Sequence, residues 1–168
     1  SFNKLNMEKF MLTKFKIDNM PKIHIVDRYL ETVKHLGVKN DNQGLDFFLS
    51  ANDKIDISIF SKNYIIFIIG GQHATKILPN EKIISIIKKL NRPVLLVGGL
   101  EDFERGEQII ANTNNTINTC GKYSILQSAS LVQQATMVIT HDTGMMHIAA
   151  AFNKKIYSVW GNTVPEFG

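Results

Sequence analysis

The chain has 168 residues, of which 44% are hydrophobic and 20% are charged, and its formal net charge is +4. This composition is typical of a folded core and excludes a disordered or fibrous chain. The basic excess is small, and no arginine-rich stretch accompanies it, so the sequence predicts no nucleic-acid partner. Its single cysteine, Cys120, excludes an internal disulfide and fits a reducing cytoplasm.

The first third of the chain predicts helices without a regular alternation of strands and helices. Leu5 and Leu12 have helical spacing, and a second helical pattern covers residues 22–36. Alternating isoleucines in residues 51–63 favour a short strand or an extended linker. We expect residues 1–62 to be a helical segment and linker, the tail of an N-terminal domain that is mostly absent.

From Tyr64 onward, strand patterns alternate with helical patterns, which is typical of a parallel sheet covered by helices. The predicted strands are residues 64–69, 93–97, 115–119, 137–140 and 156–160. The predicted helices begin near Asn80, Asp102, Ser124 and Met145. Right-handed crossovers between such strands give the order 3-2-1-4-5. We therefore expect residues 63–168 to form a Rossmann-like α/β domain that is truncated at its C-terminal end.

This strand order places the carboxyl ends of the first and fourth strands side by side, where a ligand crevice is expected. The loop after the first strand, residues 70–76, offers a glycine pair and the cation of Lys76. The loop after the fourth strand, residues 141–144, opens a helix whose first N–H groups attract anions. A cation and a helix start that face one crevice predict an anion site, and a diphosphate would satisfy both.

Several catalytic motifs are missing from the sequence. It contains no Asp-x-Asp or His-x-x-x-His pair, so we expect no metal. It also lacks the Gly-x-Ser-x-Gly of serine hydrolases and the Gly-x-Gly-x-x-Gly of nicotinamide enzymes. The sequence therefore predicts neither a metal nor a redox cofactor.

Two stretches of the chain carry a family resemblance. They are His141-Asp-Thr-Gly-Met-Met-His-Ile-Ala-Ala-Ala151 and Trp160-Gly-Asn-Thr-Val-Pro165. In these stretches the chain resembles the lipopolysaccharide heptosyltransferases of glycosyltransferase family 9. The resemblance implies the GT-B architecture of two Rossmann-like domains, with this chain as the C-terminal, donor-binding portion.

The resemblance also implies roles for individual residues. Those implied to bind the nucleotide and its diphosphate are Thr75, Lys76, Asp102, Asp142, Thr143, Gly144 and His147. Asp102 would face the ribose, although a different register gives that role to Glu101 or Glu104. Because the N-terminal domain would carry the catalytic base, no residue of this chain is assigned that role.

The activity that the resemblance implies is inverting, metal-independent transfer of heptose from ADP-heptose to the lipopolysaccharide inner core. The acceptor would be the lipid A and core oligosaccharide, and the site would be cytoplasmic, with peripheral contact to the inner membrane left open. We expect this chain to be inactive by itself. Two alternatives stay open: a GT-B enzyme that uses another nucleotide sugar, and a nucleotide-binding module without catalysis.

Overall fold

The structure is a computed structural model that describes residues 3–60, 62–71 and 76–161. It divides into two compact units, one formed by residues up to Gly44 and one that begins at Leu45. No helix in the described parts of the chain is long and apolar enough to span a membrane.

The first unit contains two short helices. They are α1 (Asn6–Phe10), which continues as a π-helical turn (Met11–Phe15), and α2 (Ile25–Glu31), which is followed by a 3-10 turn (Lys34–Leu36). Helix α2 is shorter than the predicted residues 22–36 because His24 caps its start, accepting the Val26 N–H through Nδ1 at 3.3 Å. Gly37, with a φ of 79°, ends the 3-10 turn.

The segment before the sheet forms two 3-10 turns, Ala51–Asp53 and Ile57–Ile59, instead of the predicted strand or linker. Asp56 caps the second turn because its carboxylate accepts the Ser58 N–H at 2.8 Å. Ile55 and Ile57 pack against the core of the sheet. This segment belongs to the same compact unit as the sheet, which begins at Leu45.

Five parallel strands form the sheet. They are β1 (Ile65–Ile68), β2 (Val94–Val97), β3 (Thr116–Asn118), β4 (Met137–His141) and β5 (Ile156–Val159). Their order is β3-β2-β1-β4-β5, which confirms the predicted order. At the centre, Ile65 of β1 pairs with Val94 of β2 on one side and with Met137 of β4 on the other.

Four helices connect the strands. They are α3 (Asn80–Ile87), α4 (Phe103–Ile110), α5 (Ile125–Gln134) and α6 (Gly144–Ala151). Helix α5 begins with a capping box at the predicted Ser124: Ser124 Oγ accepts the Gln127 N–H at 3.2 Å, and Gln127 Oε1 accepts the Ser124 N–H at 3.0 Å.

Each face of the sheet buries its own hydrophobic core. One core contains Ile66 and Ile68 of β1 together with residues of α5 and α6, such as Leu131 and Ala149. The other contains Ile65 and Phe67 of β1 with residues of α3 and α4. Because successive strand residues point to opposite faces, the uninterrupted apolar run of β1 fills both cores. Helices α3 and α6 therefore cover opposite faces, which leaves the carboxyl ends of β1 and β4 open between them.

Candidate functional site

A crevice of about 360 Å³ opens at the carboxyl ends of the central strands. Its lining residues lie at or just after the ends of β1 and β2, or at the beginnings of α5 and α6. They are Ile68, Gly70, Gly71, Val97, Gly98, Gly99, Glu101, Asp102, Tyr123, Ile125, Ser128, Thr143 and Met145. This is the position at which open parallel α/β sheets bind ligands.

Two glycines bring the strand ends close to a buried carboxylate. A Cβ atom at Gly70 would lie 2.5 Å from Asp102 Oδ2, and one at Gly98 would lie 2.7 Å from the same oxygen. The same carboxylate oxygen accepts the Gly99 N–H at 2.9 Å. Glycine at these positions therefore lets the loops after β1 and β2 close around Asp102.

The structure places the three carboxylates considered for the ribose in different surroundings. Asp102 lines the crevice but is buried, with only 7% of its surface exposed, and is held by Gly99. Glu101 also lines the crevice, and it is exposed to solvent. Glu104 is exposed and does not line the crevice. Two of the three predicted positions therefore reach the crevice, and Glu101 presents the more accessible carboxylate.

An ion pair joins the two loops that the strand order predicts to meet. Lys76 Nζ donates to Asp142 Oδ2 across 66 residues of sequence. The two side chains are 25% and 19% exposed, so the pair is partly shielded from water. This contact places a cation and a carboxylate at the end of β4, next to the start of α6.

The start of α6 has the features of an anion site. Thr143 is the N-cap residue, yet its hydroxyl makes no capping hydrogen bond. The Oγ1 atom is buried and has no hydrogen-bond partner in the part of the chain that the structure describes. A Cβ atom at Gly144 would meet no atom of the described residues within 4 Å, so these residues leave space beside the first helical turn. A hydroxyl and the first N–H groups of the helix therefore remain available to a ligand.

Two further predicted site residues are His147 and Thr75. His147 is exposed one turn into α6 and does not line the crevice. Thr75 lies outside the described residues, as do residues 162–165 of the second resemblance stretch.

Comparison with known proteins assigns the chain to a family. The sequence pattern of the family described as "Glycosyltransferase family 9 (heptosyltransferase)" matches residues 7–168. The chain belongs to glycosyltransferase family 9. The family 9 assignment agrees with the resemblance found in the two sequence stretches.

Three known proteins illustrate the similarity. Lipopolysaccharide heptosyltransferase 2 of Escherichia coli (strain K12) is 32% identical over 79 residues, which are 44% of this chain and 23% of that protein. The crystal structure of a family 9 glycosyltransferase from Veillonella parvula superposes with a TM-score of 0.75 at 21% identity, covering 88% of this chain and 47% of that one. The structure of E. coli heptosyltransferase WaaC with ADP-2-deoxy-2-fluoro heptose superposes with a TM-score of 0.66 at 20% identity, covering 89% of this chain and 49% of that one.

These comparisons confirm the glycosyltransferase assignment and the GT-B-like fold. The chain spans less than half the length of each of these three relatives. Among the residues described in this family 9 chain, no cluster of three His, Cys, Asp or Glu side chains could hold a metal ion.

One wall of the crevice was missed by the sequence analysis. Tyr123, Ile125 and Ser128 line it from the beginning of α5. The capping box at Ser124 marks where α5 begins, and the crossover from β3 carries that helix start to the carboxyl edge of the sheet. This signal was present in the sequence, but it identifies a helix boundary and not a ligand contact.

Two side chains near the crevice were also missed: the buried His141 and the half-buried Arg105. The His141 ring is fully buried, and its Nε2 accepts the Leu78 N–H at 3.0 Å. Burial, helped by the Arg105 charge, lowers the pKa of His141, while the Gly70 backbone opposes the shift. An imidazole whose Nε2 accepts a hydrogen bond and whose pKa is lowered is neutral and carries its proton on Nδ1.

The Arg105 guanidinium donates hydrogen bonds to three acceptors. Its Nε donates to Asn80 Oδ1 at 2.7 Å, its Nη1 to the Ile69 carbonyl at 2.6 Å, and its Nη2 to the Leu78 carbonyl. Burial lowers the pKa of Arg105, and the nearby Asp102 acts in the opposite direction. Because arginine titrates so far above neutrality, the guanidinium stays charged.

Proposed function

We propose that this chain is the donor-binding portion of an inverting, metal-independent heptosyltransferase that uses ADP-heptose. The acceptor in this proposal is the lipid A and core oligosaccharide of lipopolysaccharide. In this proposal the reaction takes place on the cytoplasmic side of the inner membrane. The observation that carries the proposal is the crevice at the switch point of the sheet, where a buried hydroxyl at a helix start has no partner among the described residues.

The diphosphate end of the proposed ligand is supported by three features around α6. Thr143 Oγ1 supplies a hydroxyl donor, and the open first turn at Gly144 supplies backbone N–H groups. The ammonium of Lys76 lies beside Asp142 at the same helix start. Charge-assisted hydrogen bonds of this kind are the strong ones in phosphate recognition.

The nucleoside end of the proposed ligand is supported by the other side of the crevice. Tyr123 and Ile125 offer an apolar wall for a base, and Glu101 offers an acceptor for ribose hydroxyls. The relative WaaC was crystallised with an ADP-sugar analogue, which favours adenine as the base that this wall receives.

In the proposed reaction, this chain binds the leaving group. An acceptor hydroxyl oxygen attacks the anomeric carbon, the bond from that carbon to the diphosphate oxygen breaks, and the acceptor proton passes to a base outside this chain. The residues at the start of α6 and Lys76 stabilise the negative charge that develops on the departing ADP. We therefore expect nucleotide binding but no sugar transfer from these 168 residues by themselves.

Calorimetric titration with ADP, UDP and GDP tests the proposal. We expect the 168-residue chain to bind ADP at least about tenfold more tightly than UDP or GDP, because specific contacts to one base outweigh the shared diphosphate. A preference for UDP or GDP would replace ADP-heptose by another nucleotide sugar. Failure to bind any of the three would refute the proposed function.

A second measurement addresses catalysis. The complete protein that contains this chain should transfer heptose from ADP-heptose to a lipopolysaccharide acceptor in the presence of a chelator. Tight ADP-heptose binding without transfer to any acceptor would support a binding module instead. Activity that chelation abolishes and a divalent cation restores would contradict the metal-independent reaction.

A further inference from the structure

The loop that carries Lys76 is held through a single residue two positions downstream. The Leu78 N–H donates to His141 Nε2, and the Leu78 carbonyl accepts from Arg105 Nη2. The two holding side chains come from different elements, β4 and α4. Both backbone polar groups of one loop residue are thus fixed by side chains from separate parts of the fold.

Arg105 also ties this loop to the strand that precedes it. Its bond to the Ile69 carbonyl fixes the end of β1, and its bond to Asn80 fixes the beginning of α3. The loop that contains Lys76 begins after Ile69 and ends before Asn80. One guanidinium therefore sets the distance between the two ends of that loop.

His141 links the same loop to the anion site. It is the last residue of β4, and the next residue, Asp142, pairs with Lys76. The hydrogen bond from Leu78 and the ion pair from Lys76 therefore attach one loop to consecutive residues at one strand end. A flexible lysine held in this way loses less conformational freedom when a ligand binds.

We propose that Arg105 and His141 are positioning residues that hold Lys76 against the diphosphate by fixing the backbone of Leu78. The inference rests on the proposed function, because it assumes that the crevice binds a nucleoside diphosphate. Neither side chain lines the crevice. Lys76 and Asp142 also lie outside the crevice lining, and their ion pair adjoins it at Thr143. Because the hydrogen bonds of Arg105 and His141 hold the backbone that leads to Lys76, the two residues act through Lys76 in this proposal.

The test compares ADP with adenosine in calorimetric titrations of Arg105→Lys. Lysine keeps the positive charge but lacks the planar fork that reaches three acceptors. We expect ADP affinity to fall about tenfold, while adenosine affinity stays within about twofold of the wild type. The matched control is Arg92→Lys, because Arg92 is exposed and directly precedes Pro93 at the amino end of β2. This control should change neither affinity.

A double-mutant cycle separates positioning from general destabilisation. In a Lys76→Ala background, Arg105→Lys should cause no further loss of ADP affinity, because the side chain that Arg105 positions is gone. Additive losses, or equal losses for ADP and adenosine, would overturn the inference. If the wild type binds adenosine and ADP equally or not at all, the proposed function fails and this inference fails with it.

Two variants of His141 provide a second test of the positioning role if Arg105→Lys does not fold. In His141→Gln the side-chain amide oxygen can still accept the Leu78 N–H, whereas the ring introduced by His141→Phe has no acceptor. We expect His141→Gln to keep ADP affinity within about threefold of the wild type and His141→Phe to lose about tenfold, with adenosine binding retained in both. Equal ADP affinities in the two folded variants would count against the positioning role.

Discussion

Replacing Thr143 by valine should make the protein more stable and a weaker binder at the same time. The hydroxyl oxygen is buried and has no partner in the described parts of the chain, and its backbone is extended with a φ of −141° and a ψ of 162°. Valine has nearly the same shape and suits extended backbone. The substitution therefore removes an unsatisfied polar group without breaking a hydrogen bond between described residues.

The expected magnitudes follow from this environment. An unsatisfied buried hydroxyl costs about 1–3 kcal/mol, so Thr143→Val should raise the free energy of unfolding by about 1 kcal/mol. In a chain of this size that corresponds to a rise in Tm of about 2–4 °C. Loss of a hydrogen bond to a charged phosphate oxygen should weaken ADP binding by about tenfold or more.

Thermal unfolding followed by circular dichroism gives the first quantity, and calorimetric titration with ADP gives the second. The matched control is Thr119→Val, because Thr119 Oγ1 is buried and donates to the Leu96 carbonyl at 2.6 Å. This control should lower the free energy of unfolding by about 1 kcal/mol and leave ADP affinity unchanged. If Thr143→Val is destabilising like the control and binds ADP normally, the hydroxyl does not face the ligand.

Three further predictions concern the carboxylate of Glu101, the imidazole of His141 and the thiol of Cys120. Glu101→Gln should reduce the preference for ADP over 2′-deoxy-ADP in titrations, and an unchanged preference would exclude Glu101 from ribose recognition. The pKa of His141 is lower in the folded state than in the unfolded chain, where it is near 6.5. The contribution of neutral His141 to the free energy of unfolding is therefore fully present above about pH 6.5 and is lost as the pH falls towards the folded-state pKa. Denaturant titrations from about pH 7.5 to about pH 5 should therefore show a smaller loss of stability for His141→Gln than for the wild type, and parallel curves would contradict this. Burial raises the pKa of Cys120 to about 12. Iodoacetamide should therefore leave the Cys120 thiol of the folded protein unmodified at about pH 8 and should alkylate it in denaturant. Rapid reaction of the native thiol would show that it is accessible.

The strands and their order could be predicted because they depend on local patterns and on chain handedness. The apolar run that begins at Tyr64 fills both faces of the sheet, and right-handed crossovers leave one arrangement of the strands. That order alone is sufficient to predict that the loops of Lys76 and Asp142 meet, as their ion pair confirms. The meeting of these two loops is thus largely a consequence of topology.

The contacts beneath the crevice could not be predicted, because they depend on where backbone carbonyls lie after folding. Nothing in the sequence near Arg105 indicates that its acceptors are the Ile69 and Leu78 carbonyls. Similarly, the approach of Gly70 to Asp102 requires the relative positions of two loops. The isoleucines of residues 51–60 illustrate the same limit, since their alternation favours a strand. The chain instead forms 3-10 turns there, with Ile55 and Ile57 partly buried against the core and Ile59 exposed.

The central position of β1 has a consequence for synthesis of the protein in the cell. Residues 64–69 form an uncharged apolar run, and both strands that cover its edges, β2 and β4, come later in the chain. A ribosome therefore releases this apolar segment before either covering strand, and β4 follows about 70 residues later, a delay of several seconds at ordinary rates of translation. During that interval the segment depends on chaperones or on the early pairing with β2 for protection.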